Sequence, residues 1–157
     1  MAVIARGRHT HAHTGELTVF AIGMRVNRLH RPDAWVPVLA AMGPMLSELS
    51  RDPESGFLGA RTLLGRRGPT VIQYWRSPED LYRYAADRAA RHRPAWSAFN
   101  ARARKVPGAV GIWHETYQVA AAETMYVDVP VMGLAAATGS VAVTTRSDAG
   151  RDRLAAG

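Results

Sequence analysis

The amino-acid sequence predicts an α+β fold whose elements follow the order strand, helix, strand, strand, helix, strand. Two patterns support this prediction: runs rich in β-branched and aromatic residues, and segments whose apolar residues recur at the spacing of a helix. The chain has 157 residues, of which 47% are hydrophobic, so it is long enough for one globular domain with a buried core.

The first strand and the first helix are predicted in the first third of the chain. The segment LTVFAIGMRV at 17–26 is typical of a strand that is apolar on both faces. Pro32 then opens a segment whose apolar residues follow one another at helical spacing as far as Leu49. We therefore expect a strand followed by an amphipathic helix.

A β-hairpin and a second helix are predicted next. The segments GFLGARTLLG and TVIQYWR flank the turn signal RRGP, a pattern typical of two hairpin strands. Ser77 is expected to cap the following helix, with Pro78 at its first position and acidic residues in its first turn. This helix is expected to run towards His92, with a second helical piece after Pro94.

The segment AVGIWHETYQV is predicted to be the last strand, and it completes the β-α-β-β-α-β order of ferredoxin-like folds. Such a sheet carries its helices on one face, yet these strands are apolar on both. A homodimer that pairs two sheets face to face, a dimeric α/β barrel, would cover the second face and leave a pocket inside each protomer. A monomer with a ligand beneath the sheet would show the same pattern.

The ordered domain is expected to cover residues 16–139. Residues 1–15 and 140–157 show no clear pattern of regular structure and are expected to be flexible tails.

The composition excludes several classes of chemistry. The sequence contains no cysteine, so disulfides, thiolate zinc sites and cysteine nucleophiles are excluded, and a reducing cytoplasm is expected. It offers no apolar run near the ~20 residues of a membrane span and no signal-peptide pattern. The net charge of +7 comes from arginines scattered among the segments, which favours an anionic small-molecule group over nucleic acid. We therefore expect a cytoplasmic protein with a small-molecule substrate and no nucleic-acid or membrane partner.

Four of the six histidines lie in segments where a surface role is expected. His9, His11 and His13 alternate in the N-terminal tail, so an extended backbone would place them on one side. Either a metal site or a disordered histidine-rich tail fits that pattern. His30 lies in a polar loop between the first strand and the first helix, and we expect it at the surface.

His92 and His114 are the candidates for chemistry. Counted from Leu81, His92 falls on the helical stripe that is expected to face the core. On the last strand, His114 shares its face with Ile112 and Thr116. A buried, hydrogen-bonded imidazole is the purely structural alternative for each. An imidazole is also a common iron ligand, and a second imidazole across a pocket can act as an acid–base group.

The motifs QYWRSPEDLYRYA, RHRPAWSAF, GIWHETYQV and MYVDVPVMGL resemble the C-terminal half of the haem-containing aldoxime dehydratases. They are also similar to a family of small monooxygenase-like proteins named after a polyketide monooxygenase of fumagillin biosynthesis, whose fold is a dimeric α/β barrel. The likeness covers about residues 17–135. The N-terminal half of the dehydratases has no counterpart here, and Ala89 replaces the first histidine of their HPTH segment. The resemblance therefore implies haem binding more strongly than aldoxime dehydration.

Carried over residue by residue, the resemblance to the dehydratases implies that His92 is the axial ligand of a haem b iron and that His114 is the distal acid–base group. In this reading arginines pair with the haem propionates, and aromatic side chains shape the cofactor and substrate pocket. The arginines are Arg76, Arg88 and Arg91, and the aromatic residues are Trp96 beside the haem and Trp75, Tyr84 and Trp113 in the substrate pocket.

Three functions remain open at this point. The first is a haem-binding oxidoreductase of monooxygenase type, which acts on a small hydrophobic or aromatic metabolite through His92 and His114. The alternative is a cofactor-free α/β-barrel monooxygenase, in which His114 deprotonates an electron-rich phenol or polyketide that itself reacts with oxygen. A non-catalytic protein that binds haem or another small molecule is the third.

Overall fold

The computed structural model describes residues 2–87, 97, 99–101 and 104–156. These residues contain the following strands and helices: β1 (Ile4–His11), β2 (Leu17–Val26), α1 (Pro32–Leu49), β3 (Phe57–Gly65), β4 (Gly68–Trp75), α2 (Pro78–Ala86), β5 (Val110–Val119), β6 (Tyr126–Pro130), α3 (Gly133–Thr138), β7 (Ser140–Ala142) and α4 (Gly150–Ala156). Residues 99–101 are also helical, as expected for the segment after Pro94.

The main sheet has four strands in the order β3-β4-β2-β5, and all neighbouring strands are antiparallel. With α1 and α2 between the strands, the chain order is β2-α1-β3-β4-α2-β5. This is the ferredoxin-like arrangement, and the predicted fold class is confirmed. Leu49 of α1 and Leu81 of α2 pack on Trp75 in a buried cluster, so both helices lie on one face of the sheet.

The pairing register assigns each side chain to one of two faces. Phe20 on β2 lies opposite Gln73 on β4 and Thr116 on β5. Side chains alternate along each strand, so these three residues and every second residue from them point to the same face. That face carries α1 and α2. We call this the helix face. The other side of the sheet is the outer face, and it carries Trp113.

Helix α2 begins where the sequence predicted it. The Ser77 hydroxyl accepts a hydrogen bond from the Asp80 backbone N–H at 3.1 Å, and Pro78 is the first helical residue. Asp87 has an extended backbone (φ −63°, ψ 119°), so α2 ends at Ala86. Residues 88–92, where the helix was expected to run on towards His92, lie outside the described residues.

A second sheet occupies the segments that we expected to be tails. Its three antiparallel strands have the order β6-β1-β7, so residues 4–11 lie at its centre. A bulge in β1 is held by the Gly7 backbone N–H, which donates to Asp128 Oδ1 at 2.8 Å. On the outer face, α3 covers β3 so closely that a Cβ at Gly59 would lie 2.9 Å from the Cβ of Ala137.

The N-terminal histidines belong to this second sheet and its loop. His11 is buried; its Nδ1 accepts from the His13 backbone N–H at 3.1 Å, and its Nε2 is 3.2 Å from the carbonyl oxygen of Ala122. Among the described residues no three histidine, cysteine or acidic side chains are grouped as a metal site would require. The described helices also include none that is long and apolar enough to cross a membrane.

Candidate functional site on the helix face

The helix face of the main sheet has a closed half and an open half. Over β4, Val71, Gln73 and Trp75 are buried, and Trp75, on which Leu49 and Leu81 pack, has no exposed surface. Over β5, His114 and Thr116 are both exposed. A small molecule that enters over β5 would therefore reach the packed residues of β4 only after crossing β2.

His114 projects from β5 onto the open half. Its imidazole lies against the ring of Phe20, with ring centroids 5.5 Å apart and planes tilted by 38°. Within the described part of the chain, no hydrogen bond holds either ring nitrogen. The purely structural alternative, a buried and hydrogen-bonded imidazole, is therefore wrong for His114. An exposed imidazole fixed by a strand and an aromatic neighbour can accept a proton from a bound molecule.

Trp75 is the centre of the closed half. Its indole ring lies 5.3 Å from the ring of Phe57 at 69° and 5.8 Å from that of Tyr84 at 38°. Burial raises the pKa of Tyr84 to about 12, and the nearby acidic residues Glu48 and Asp87 act in the same direction. Tyr84 is therefore neutral around pH 7. Trp75 and Tyr84 are in ring contact, and their role in a substrate pocket stays a prediction.

Trp113, the third aromatic residue expected in the pocket, lies on the outer face. It is paired with Gly23 of β2, and a Cβ at that position would lie 2.6 Å from the indole ring. The indole thus covers the glycine backbone from the outer side. Trp113 does not share a pocket with Trp75 and Tyr84, because adjacent residues of a strand point to opposite faces.

The residues expected to hold haem are only partly described. The Arg76 Nε donates to Asp80 Oδ2 at 2.8 Å, so this guanidinium already has a carboxylate partner. The other expected haem contacts lie outside the described residues; they are Arg88, Arg91, His92 and Trp96. Haem binding and the assignment of His92 as an iron ligand stay predictions.

Two polar side chains of the helix face escaped the sequence analysis. Gln73 is 8% exposed and accepts a hydrogen bond from the Trp75 indole Nε1 at 3.0 Å. Thr18 is fully buried, and its hydroxyl oxygen has no hydrogen-bond partner in the described part of the chain. A signal for Gln73 exists in the sequence: it is the polar member of an apolar period-two row with Val71 and Trp75.

Solved structures with a similar chain trace have low sequence identity to this chain. A protein of unknown function from Bacteroides thetaiotaomicron, described as a possible oxidoreductase, is 13% identical over 68% of this chain and 100% of its own, with a TM-score of 0.48. SnoaB from Streptomyces nogalater, a cofactor-independent oxygenase, is 15% identical over 67% and 94%, with a TM-score of 0.43. A dimeric protein of unknown function and ferredoxin-like fold from Bacteroides fragilis is 9% identical over 66% and 96%, with a TM-score of 0.45. Likenesses of this size do not bear on the activity.

The comparison with protein families is more specific. No curated protein matches the chain. The resemblance to the aldoxime dehydratases therefore rests on short motifs alone. The family model of the af470-like monooxygenases matches residues 17–134, which span both helices and all four strands of the main sheet. This match covers most of the chain, and the chain therefore belongs to the af470-like monooxygenase family.

Proposed function

We propose that the protein is a cofactor-independent monooxygenase in which His114 is the catalytic base. The observation that carries this proposal is the exposed imidazole of His114 on the helix face, beside the Phe20 ring. Membership of a monooxygenase family supports an oxygenase reaction, and imidazole is the side chain best suited to proton transfer near neutral pH. The expected substrate is an electron-rich phenol or a related enolisable aromatic compound.

The reaction balances without a further reductant. His114 takes a proton from an acidic C–H or O–H group and leaves a delocalised carbanion. The carbanion transfers an electron to dioxygen, and the two radicals combine to a peroxide anion at carbon. The imidazolium returns its proton to the peroxide, and loss of water leaves a carbonyl group. Overall, a CH₂ group and O₂ give C=O and H₂O.

The proposed role of His114 is tested by His114→Ala. Turnover should fall by a factor on the order of 10² to 10⁴, the usual contribution of a positioned acid–base group. Oxygen consumption per folded molecule, measured over a panel of phenols, gives the rate. Thr116→Ala is the matched control, because Thr116 is also exposed on the same face of β5. Added imidazole should restore part of the lost rate to the His114 variant only.

An unchanged rate in His114→Ala would contradict the proposal. A visible spectrum of the purified protein with added haem addresses the other enzymatic reading: a Soret band at one haem per protomer, lost in His92→Ala, would replace the cofactor-independent mechanism by a haem-dependent one.

We also propose a homodimer that forms through the outer face. Trp113 and Tyr117 are exposed there on β5, and the Tyr117 hydroxyl donates to Glu115 Oε2 at 2.7 Å. Helix α3 already covers β3 at the other edge of this face. Aromatic residues such as these are enriched at protein–protein interfaces. In a two-fold dimer the same surface of each subunit packs against its copy, so the outer faces of two chains would cover each other.

A further inference from the structure

We propose that one end of the main sheet docks on an anionic lipid bilayer. This end is formed by the last residues of β2, the turn between β3 and β4, and the residues that lead into β5. We call it the basic end, and it carries the following basic residues: Arg25, Arg28, Arg66, Arg67, Arg104 and Lys105. The proposal is independent of the proposed function, because it uses no residue of the helix-face site. It departs from the expectation of no membrane partner, which rested on the scatter of arginines along the chain.

Backbone hydrogen bonds bring the three segments of the basic end together. The Val26 N–H donates to the carbonyl oxygen of Arg67 at 2.6 Å, which joins β2 to the hairpin turn. On the other side of β2, the Arg28 N–H donates to the carbonyl oxygen of Ala109 at 3.2 Å. Lys105 precedes Ala109 by a single turn. The strand order β3-β4-β2-β5 makes this end three strand spacings wide, about 14 Å, so basic residues from distant parts of the sequence form one surface.

The positive charge of the basic end has no acidic counterpart. Arg67 is half-buried, and the other basic residues of this end are exposed. Within the described part of the chain, none of them forms an ion pair. The segments that form the end contain no acidic residue, and Asp33, which follows in the chain, is already paired with Arg31 at 2.7 Å. The charges of the basic end are therefore free to attract an anionic surface.

Two leucines are exposed among these charges. Leu64, just before the hairpin turn, is 86% exposed, and Leu29, just after the end of β2, is 55% exposed. Leu64 is paired with Pro69, a helix-face position, and the loop that contains Leu29 leads into α1 on that same face. Trp35 holds this loop, since its indole Nε1 donates to the Leu29 carbonyl oxygen at 3.2 Å. Both leucines therefore lie on the helix-face side of the basic end.

A bilayer fits this combination better than other anionic partners do. Surfaces that bind single-stranded nucleic acid combine basic residues with exposed aromatic rings, on which bases stack, whereas the exposed apolar residues here are leucines. A small anion needs donors that converge on one point, but these charges are spread across the width of the sheet. A leucine at a hairpin tip can enter the acyl region while the arginines contact the headgroups. The basic end thus combines the apolar and the electrostatic contribution on which reversible membrane attachment depends.

Flotation with lipid vesicles tests this proposal. Vesicles of phosphatidylcholine and phosphatidylglycerol in a ratio of about 2:1 should bind the protein at ~0.1 M NaCl, whereas vesicles of phosphatidylcholine alone should not. Binding to the anionic vesicles should fall at least about tenfold at ~0.5 M NaCl, because salt screens the attraction between the basic residues and the headgroups.

Three variants separate the electrostatic from the apolar contribution. Arg66→Glu changes the charge of the basic end by two units, so it should lower the partition coefficient by roughly ten- to thirtyfold. Arg51→Glu is the matched control, because it makes the same change in net charge just after α1, whose Leu49 packs on Trp75 at the opposite end of the sheet. Its partition coefficient should stay within about threefold of the wild type. Leu64→Ser keeps every charge and should lower the partition coefficient at least about fivefold.

A second charge variant guards against an effect of folding. Lys105→Glu lies on the β5 side of the basic end and should lose as much binding as Arg66→Glu, while the melting temperature of each exposed-site variant should stay near that of the wild type. Three results would overturn the proposal: no binding of the wild type to anionic vesicles, an equal loss in Arg51→Glu and Arg66→Glu, or unchanged binding in Leu64→Ser. Tighter binding of a labelled DNA than of the vesicles, lost in Arg66→Glu, would also reject the bilayer and assign the basic end to nucleic acid.

Discussion

Asp80 should make the stability of the fold depend on pH in the acidic range. Its side chain is only 4% exposed, its Oδ2 accepts from Arg76 Nε at 2.8 Å, and its Oδ1 accepts from Arg83. The hydrogen bond from Arg76, with further help from Arg83, holds the pKa of Asp80 below its ordinary value of 3.8 against the opposing effect of burial. The fold therefore favours the charged form of this carboxyl group.

The sign of the pH effect follows from this direction. A carboxyl group whose pKa is lower in the folded than in the unfolded state stabilises the fold above the unfolded pKa. That contribution is lost as the pH falls below about 4 and through the folded pKa, because the unfolded chain then binds the proton first. The wild-type protein should therefore lose free energy of unfolding in this window.

Asp80→Asn keeps the shape of the side chain and removes its charge. Both arginines are more than half exposed, at 56% and 64%, so they regain water when the carboxylate is lost. The loss at pH 7 should therefore be about 1–3 kcal/mol, below that of a fully buried ion pair. For a domain of this size the melting temperature should fall by roughly 2–12 °C.

Thermal unfolding followed by circular dichroism at pH 7 and pH 2 measures the effect. The difference between wild type and Asp80→Asn should be large at pH 7 and small at pH 2. Asp33→Asn is the matched control, because the Arg31–Asp33 pair lies at the surface and its loss should change the melting temperature less. An Asp80 variant as stable as the wild type at pH 7, or a difference that persists at pH 2, would refute the reasoning.

Two further predictions concern Tyr84 and the outer face. The pKa of Tyr84 is raised from 10.0 to about 12, so the free energy of unfolding should fall as the pH rises through this window. Urea unfolding should show a smaller alkaline fall for Tyr84→Phe than for the wild type. An equal fall in the two proteins would contradict the prediction. Sedimentation at micromolar concentration should show a dimer, and Trp113→Asp should weaken it by at least about thirtyfold, as expected for an interface tryptophan. Leu64→Asp at the hairpin tip is the control, and a wild-type monomer would exclude the dimer.

The main sheet was predictable because its strands have a strong local pattern. The strand expected at 17–26 matches β2 residue for residue, and the helix expected to end near Leu49 does so. Burial of one face imposes period-two and helical patterns that a single sequence reveals. The end of α2 at Ala86 was not predictable in this way, because Asp87 is compatible with a helix in sequence and departs from it only in backbone angles.

The second sheet has no comparable pattern. β1 carries arginines and histidines at half of its positions, and its partners β6 and β7 follow more than a hundred residues later. Its bulge depends on Asp128, which has a positive φ of 50°. An aspartate tolerates this backbone angle, but its presence in the sequence does not predict it. Pairing between distant polar segments is set by tertiary contacts, which local periodicity does not record.

The candidate site was predicted in part. The alternation of side chains along β5 predicted that His114 and Trp113 point to opposite faces of the sheet, and the structure confirms this. The expectation that Trp113 nevertheless shapes the pocket ignored that alternation. Gln73 escaped notice because glutamine in a strand is usually exposed, and only the partners in space show that its amide is held by an indole.

Gly23 fixes how far β5 can slide along β2. The Trp113 ring fits only where its partner lacks a Cβ, and the neighbouring outer-face positions of β2 are Ala21 and Arg25. A slip by two residues would drive the indole into a side chain, and a slip by one would exchange the two faces of the strand. The contact of Trp113 with Gly23 on the outer face thus fixes the register of β5, and with it the position of His114 on the helix face. Gly23→Val would therefore displace His114, although the valine would not contact it.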